Sequence, residues 1–152
     1  MKRSLSVLAV GLLLAACNDA PAMTESGDLF FPTQEGPRSG MQALYRGPLV
    51  VRDGCVLIGG PDDYTVPIWP NGFAVEPDES GRVVVRDSEG TVVAIDGETF
   101  EMGGGFTVEF RPRDKVEPRD AQLQRLEEWL GYAIPERCLG PDVYGVWIVG
   151  ET

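Results

Sequence analysis

Glycine and proline divide this chain into short apolar runs, and that division constrains its fold more than any other feature. The 152 residues contain 19 glycines and 12 prolines, which separate runs of valine, isoleucine and phenylalanine. Such runs suit β-strands and are too short for most helices. A chain of this length has room for one domain with one core. We therefore predict a mostly β fold, a small barrel or sandwich of about six to eight strands with one helix in the C-terminal region.

Turn residues place the strands. The dipeptide Asp53-Gly54 joins residues 49–52 to residues 55–58 and suits a two-residue type I′ hairpin turn. Residues 82–102 predict a three-stranded meander, and residues 143–149 predict a terminal strand. One helix is predicted between Glu117 and Gly131. Its apolar stripe, which should face the core, consists of Leu123, Leu126, Trp129 and Leu130.

Two features predict irregular strands. Pro67 and Pro70 lack the N–H that a central strand donates, so the strand over residues 64–69 should lie at a sheet edge or contain a bulge. Three consecutive glycines at residues 103–105 predict a bulge or a sharp corner of the sheet. The alternation that follows predicts that one strand face carries Phe106, Val108 and Phe110.

The first 17 residues have the layout of an export signal. Two basic residues precede an apolar run that is too short to span a bilayer. The run ends in Leu14-Ala15-Ala16-Cys17, which resembles the lipobox of bacterial lipoproteins. The resemblance implies that residues 1–16 are a signal peptide that is removed, and that Cys17 becomes the lipidated N-terminus. The alternative is an ordinary secretory signal with a coincidental cysteine.

The lipobox resemblance implies that the protein is attached to a membrane and faces the periplasm or the exterior. Asn18, rather than aspartate, follows Cys17, and this favours the outer membrane in a host that has one. Residues 17–43 are predicted to be the lipidated N-terminus and a flexible tether, and residues 44–152 the β domain. Within the tether, Leu29–Pro32 is expected to dock on the domain or pair at a sheet edge, with presentation to a partner as the alternative.

Cys55 and Cys138 are predicted to form a disulfide, because an even pair of cysteines in an oxidising compartment usually does so. The closed loop of about 84 residues contributes roughly 4 to 5 kcal/mol in the chain-entropy model. Two buried free thiols, or a redox or metal site, are the alternatives. Ile68-Trp69-Pro70, the glycine run and the late cysteine also resemble small exported β-domains of unassigned function. An oligonucleotide/oligosaccharide-binding type of barrel is one candidate for the fold.

Charge and composition exclude several functions. Removal of residues 1–16 leaves 11 basic and 24 acidic residues, a net charge of −13, which repels phosphate backbones and predicts no nucleic-acid partner. The chain has no histidine, so Ser-His-Asp triads, Cys-His pairs and histidine-ligated zinc sites are impossible. We predict no catalytic residue, no metal ligand and no cofactor.

Carboxylates are the remaining candidates for chemistry. Those that lie in predicted loops are Asp62, Asp63, Asp78 and Glu79. An acid and base pair for glycoside hydrolysis is one interpretation, and a weak calcium site is another. We favour a third, that these residues are solvated and cap the backbone of their turns.

The candidate binding surface consists of the aromatic residues Tyr64, Trp69, Phe73 and Trp147. Aromatic side chains near a sheet edge or a barrel mouth anchor interfaces and stack on sugars, although filling of the barrel core is their more common role. We predict a non-enzymatic envelope lipoprotein whose domain binds a protein or a cell-wall glycan. A carboxylate-dependent glycan hydrolase and a purely structural lipoprotein are the alternative hypotheses.

Replacing Cys17 with serine is expected to move the protein from the membrane fraction to the soluble fraction, because the lipid is lost. Attachment of the wild-type protein should persist in about 1 M salt, since burial of acyl chains is not screened by ions. Sedimentation of both proteins with and without salt tests this, and intact-mass analysis checks for the acyl adduct. A Cys17→Ser protein that still sediments with membranes would contradict the lipid anchor.

Overall fold

The fold is that of a computed structural model, which describes residues 29–34, 43–110 and 118–150. The strands in these residues are β1 (Thr33–Gln34), β2 (Ala43–Arg52), β3 (Cys55–Ile58), β4 (Tyr64–Pro70), β5 (Ala74–Pro77), β6 (Val83–Arg86), β7 (Val92–Ile95), β8 (Thr99–Glu109) and β9 (Val143–Val149). Between β8 and β9 lie helix α1 (Arg119–Leu130) and a 3-10 turn (Glu136–Cys138). The predicted mostly β fold with one helix in the C-terminal region is confirmed. The predicted signal peptide and Cys17 lie outside the described residues.

Five strands close into a barrel. β8 pairs with β2, β2 with β3 and β3 with β4, all antiparallel, and this is a Greek-key order because β8 returns beside the first strand of the series. β9 then closes the barrel by pairing in parallel with β4 and antiparallel with β8. Of the two predicted architectures, the barrel is therefore the correct one. A five-stranded Greek-key barrel is also the architecture that the oligonucleotide/oligosaccharide-binding candidate requires.

The first predicted hairpin is confirmed in its turn and its register. Asp53 and Gly54 have φ values of 52° and 73°, as both central residues of a type I′ turn require. Arg52 pairs with Cys55, and Leu49 pairs with Ile58. The turn therefore determines which residues of β2 and β3 face the barrel interior.

The predicted meander is correct in its first two strands and wrong in its third. β6 and β7 form the expected hairpin, but β5 is the third strand of their sheet, and β8 pairs with β2 in the barrel. The chain leaves the small sheet at the turn after β7, where the Leu49 N–H donates to Glu98 O at 3.1 Å and the Gly97 N–H donates to Leu49 O at 2.9 Å. These bonds to β2 direct Met102 into the barrel, where it is buried.

β4 is neither an edge strand nor a bulged one. Its pairing with β9 shifts register between Tyr64 and Thr65, but the extra residue, Tyr144, lies on β9. β4 has β9 along one side and β3 followed by β1 along the other. The prediction of an edge was wrong because a segment of the chain before β2 pairs with β4 at the point where β3 leaves it.

Two buried clusters lie on opposite faces of the barrel wall. The interior cluster takes residues from all five barrel strands, namely Leu49, Val56, Ile58, Trp69, Met102, Trp147 and Val149, and the small sheet adds Val75, Val85 and Ala94. On the outer face of β3, β4 and β9, a second cluster contains Leu126 of α1. Leu126 is the buried member of the predicted helix stripe, whereas Trp129, on the last turn of α1, is 39% exposed, so its assignment to the core was wrong.

The predicted disulfide between Cys55 and Cys138 is present, with the two Cα atoms 5.6 Å apart. Both cysteines are fully buried in the outer cluster, beside Leu126. The bond joins the first residue of β3 to the 3-10 turn that follows α1. It therefore holds the helical region against the outer face of the barrel.

Reduction of the disulfide is expected to lower the free energy of unfolding by up to about 4 kcal/mol, because the unfolded chain loses a cross-link across a long loop. Urea titrations with and without reductant measure the difference. Peptide mapping without reductant should recover a linked pair of peptides that contain Cys55 and Cys138. Two thiols that react with an alkylating agent in the native, unreduced protein would contradict the bond.

Candidate interaction surface

The structure does not bring the four predicted aromatic residues together as a surface. Trp69 and Trp147 are only 1% and 4% exposed, so both fill the barrel interior, and their assignment to a binding surface was wrong. Their strand positions face the axis of the barrel, where the small sheet and neighbouring rings cover them. Phe73 packs against the same interior cluster, whereas Tyr64 packs against the outer one.

Trp69 is the centre of an aromatic stack. Its ring lies 5.3 Å from that of Phe31 at an interplanar angle of 16°, 6.0 Å from Phe73 and 6.3 Å from Phe100. Three near-parallel neighbours cover the indole, which explains its burial. Phe31 belongs to the segment before β1, so that segment contributes directly to the covering of Trp69.

The segment enters the barrel wall where β3 and β4 separate. The two strands pair at Ile58 and Thr65, close to the turn that joins them. Two residues further along β4, Pro67 has no N–H to donate towards β3. The next N–H on that side of β4, at Trp69, donates to Pro32 O at 2.9 Å instead.

Residues 29–34 fill the resulting cleft and bond to both of its walls. On the β3 side, the Phe30 N–H donates to Gly54 O at 2.7 Å and the Val56 N–H donates to Phe30 O at 3.2 Å. On the β4 side, the Asn71 N–H donates to Gln34 O at 2.9 Å. The prediction that Leu29–Pro32 docks on the domain is confirmed, so this part of the predicted tether belongs to the fold.

The hydroxyl of Tyr132 also holds the docked segment, because it donates to Thr33 O at 3.0 Å. Burial raises the pKa of Tyr132 to about 12. The hydroxyl therefore stays protonated, and remains a donor, throughout the physiological pH range.

A different pair of aromatic residues, Phe106 on β8 and Tyr144 on β9, is partly open to solvent. Phe106 is 37% exposed, and its ring meets Tyr144 at 5.1 Å and Trp147 at 5.0 Å, both edge-to-face. The pairing of β8 with β9 shifts between Phe106 and Val108, so strict alternation fails there. Strict alternation predicts that Phe106 shares a face with Val108, and this surface was therefore not predicted.

Gly104 makes room for the indole beneath this surface. A Cβ atom at residue 104 would lie 2.1 Å from Ile148 O and 2.3 Å from Trp147 Nε1, and φ is +149°. Gly104 also pairs with Ala43 on β2 and with Val149 on β9, so it is the residue at which β8 passes from one partner to the other. The glycine run was predicted to form a bulge or corner, and it forms this transition within one continuous strand.

The candidate carboxylates lie in two different turns. Asp62 and Asp63 are in the turn between β3 and β4, and Asp78 and Glu79 are in the turn between β5 and β6. Asp78 Oδ1 accepts the Ser80 hydroxyl at 2.6 Å and the N–H groups of Ser80 and Arg82 at 2.8 and 3.0 Å. These bonds, led by the Ser80 hydroxyl, lower the pKa of Asp78 below its usual value.

Asp63 and Asp142 also have partners within the described residues. Asp63 Oδ1 accepts the Gly60 N–H at 3.2 Å, which is a turn cap like that of Asp78. Asp142 forms an ion pair with Arg52, whose hydrogen bond holds the pKa of this carboxyl below its usual value. Nowhere in residues 29–34, 43–110 and 118–150 do three or more acidic or cysteine side chains group closely enough to hold a metal ion.

Comparison with known proteins identifies no relative, since no family model, curated protein or solved structure matches the chain. Within the described residues, no helix has the length and apolarity that a membrane span requires. Function therefore has to be inferred from the chain's own surface and chemistry.

Substituting Gly104 with alanine is expected to lower the free energy of unfolding by about 2 to 3 kcal/mol, because the new methyl group collides with a backbone carbonyl and with the Trp147 indole. Gly103→Ala is the matched control, since a Cβ there has no atom within 4 Å, and its effect should stay within about 0.5 kcal/mol. Urea unfolding followed by tryptophan fluorescence measures both. Equal effects of the two substitutions would contradict the close approach at Gly104.

Proposed function

We propose that this is a lipid-anchored envelope protein, without enzymatic activity, whose barrel binds an envelope protein or a cell-wall glycan through Phe106 and Tyr144. The observation that carries the proposal is the exposure of Phe106, beside the half-buried Tyr144, since every other aromatic ring on the described barrel strands is half-buried or buried. Phe106 is partly exposed yet held edge-on by two rings. A ring held in this way loses little conformational freedom when a partner covers it.

The backbone around the pair also favours a binding role. β8 has a register shift beside Phe106, and β9 has one in its pairing with β4, around Tyr144. Bulges of this kind turn a side chain away from the direction that strand alternation dictates, and they are common beside functional sites. Here the extra residue of β8, Thr107, turns Val108 to the outer cluster, while Phe106 stays paired with Trp147 and its ring remains partly exposed.

The net charge of the mature chain indicates which kind of partner surface is favoured. The mature chain would carry a net charge of −13, so a neutral or basic partner surface is favoured over an acidic one. The absence of histidine and the use of Asp63 and Asp78 as turn caps support a binding role over hydrolysis. The hydrolase hypothesis rests on the same turn carboxylates and has no further support from their geometry.

The docked segment limits the distance between an anchor and the domain. Twelve residue steps separate Cys17 from Leu29. At 3.3 to 3.6 Å per step, an extended chain of this length reaches at most about 40 Å. A lipid on Cys17 would therefore keep the binding surface close to the membrane, within the space where envelope partners lie.

Replacing Phe106 with alanine is expected to reduce partner binding at least tenfold, because an aromatic anchor at the centre of an interface contributes about 2 kcal/mol or more. Val92→Ala is the matched control, since Val92 is 38% exposed on the small sheet and lies outside the proposed surface. Crosslinked capture from the envelope, quantified by mass spectrometry, measures a protein partner, and cosedimentation with purified cell wall measures a glycan. Equal capture by both variants, each with wild-type thermal stability, would contradict the proposal.

A further inference from the structure

The cleft between β3 and β4 has the properties of a site that accepts a strand. Its two walls present backbone N–H groups at Val56, Trp69 and Asn71, and each donates to residues 29–34 at 2.9 to 3.2 Å. Its side-chain contacts are aromatic on both faces. Phe30 is buried in the outer cluster, and Phe31 stacks on Trp69 in the interior. The cleft therefore selects an extended segment with two consecutive aromatic residues.

The segment that fills the cleft is not needed to close the barrel. Closure depends on the pairings among β2, β3, β4, β8 and β9, and none of them includes β1. The wall of the cleft also has independent support, because the disulfide attaches Cys55, the first residue of β3, to the region after α1. The cleft should therefore keep its shape when the segment leaves.

The docked arrangement buries one polar group without a partner. Gln34 Oε1, on the segment, accepts no hydrogen bond within the described part of the chain. This oxygen would regain hydrogen bonds to water on release, so its burial opposes the docked state. Backbone hydrogen bonds and two aromatic rings hold residues 29–34 in the cleft, whereas burial of an unpaired polar group favours their release. An element with such opposing contributions is expected to open locally.

From these observations we propose that the cleft accepts residues 29–34 of a second copy of this chain, so that two copies exchange their segments reciprocally. The second copy presents the same Phe30, Phe31 and Pro32 to the same walls, so every contact made within one chain is made again between two chains. The exchange is an isologous interaction, because each copy gives a segment and receives one. It does not involve Phe106 and is independent of the proposed function.

Concentration decides between the docked and the exchanged form. Only residues 35–42 separate the segment from β2, and a connection of this length corresponds to an effective concentration on the order of 1 mM. The monomer is therefore expected at micromolar concentration, and exchange is expected as the local concentration approaches about 1 mM.

A labelled peptide with the sequence of residues 27–36 tests the acceptor site on the whole protein. Phe31→Ala weakens the chain's own segment and leaves the cleft intact, so the peptide should bind this variant at least tenfold more tightly than it binds the wild type. Phe31→Leu keeps apolar volume but loses the stacking, and it should give an intermediate affinity. The control peptide carries alanine in place of both phenylalanines and should not bind either variant.

Light scattering on the wild-type protein, from about 10 μM to about 1 mM, tests the exchange itself. A dimer should form as concentration rises, and an excess of the labelled peptide should dissociate it, whereas the control peptide should not. Peptide affinity that is unchanged in both Phe31 variants would overturn the acceptor site. A wild-type chain that is monomeric at about 1 mM, or a dimer that the peptide does not dissociate, would overturn the exchange.

Discussion

The missing amide hydrogen of Pro67 is the constraint on which one whole side of the barrel depends. On each edge, a paired strand needs a donor at every second residue, and on the edge that faces β3, β4 lacks one at Pro67, the position that follows its pairing with β3. The two strands separate there, and residues 29–34 supply the acceptors that β3 no longer provides. The same separation leaves room for Phe31 to reach Trp69. One residue thus accounts for the short β3–β4 pairing, the docked segment and the covered indole.

A second local feature, at Gly104, determines the opposite side of the barrel. The strand β8 bonds first to β2 and then to β9, and the indole of Trp147 lies against the glycine at the transition. Trp147 then supports Phe106 edge-on from below. The position of Phe106 therefore depends on Trp147. The position of Trp147 depends in turn on Gly104, which has no side chain to occupy the space of the indole.

Features governed by local chemistry could be predicted from the sequence. The Asp53-Gly54 turn specifies its own dihedral angles, α1 ends at a glycine with positive φ, and Cys55 and Cys138 form the expected bond. Features governed by distant pairing could not. The prediction of a three-stranded meander was wrong because β8 pairs with β2. The prediction that β4 lies at an edge was wrong because residues 29–34, which pair with it, are distant in the sequence. Strand alternation likewise missed Phe106, because a register shift leaves no mark in the residue types.

Docking of residues 29–34 also has a mechanical side. With lipid on Cys17, a pull away from the membrane acts first on the backbone bonds at Phe30 and Pro32 and only afterwards on the barrel. Once they part, 26 residue steps rather than 12 separate Cys17 from the first residue bonded to the barrel, so the greatest distance that the chain can span rises from about 40 Å to about 90 Å. Release of residues 29–34 would therefore let the domain move further from the membrane when a bound partner pulls on it, while the barrel stays folded.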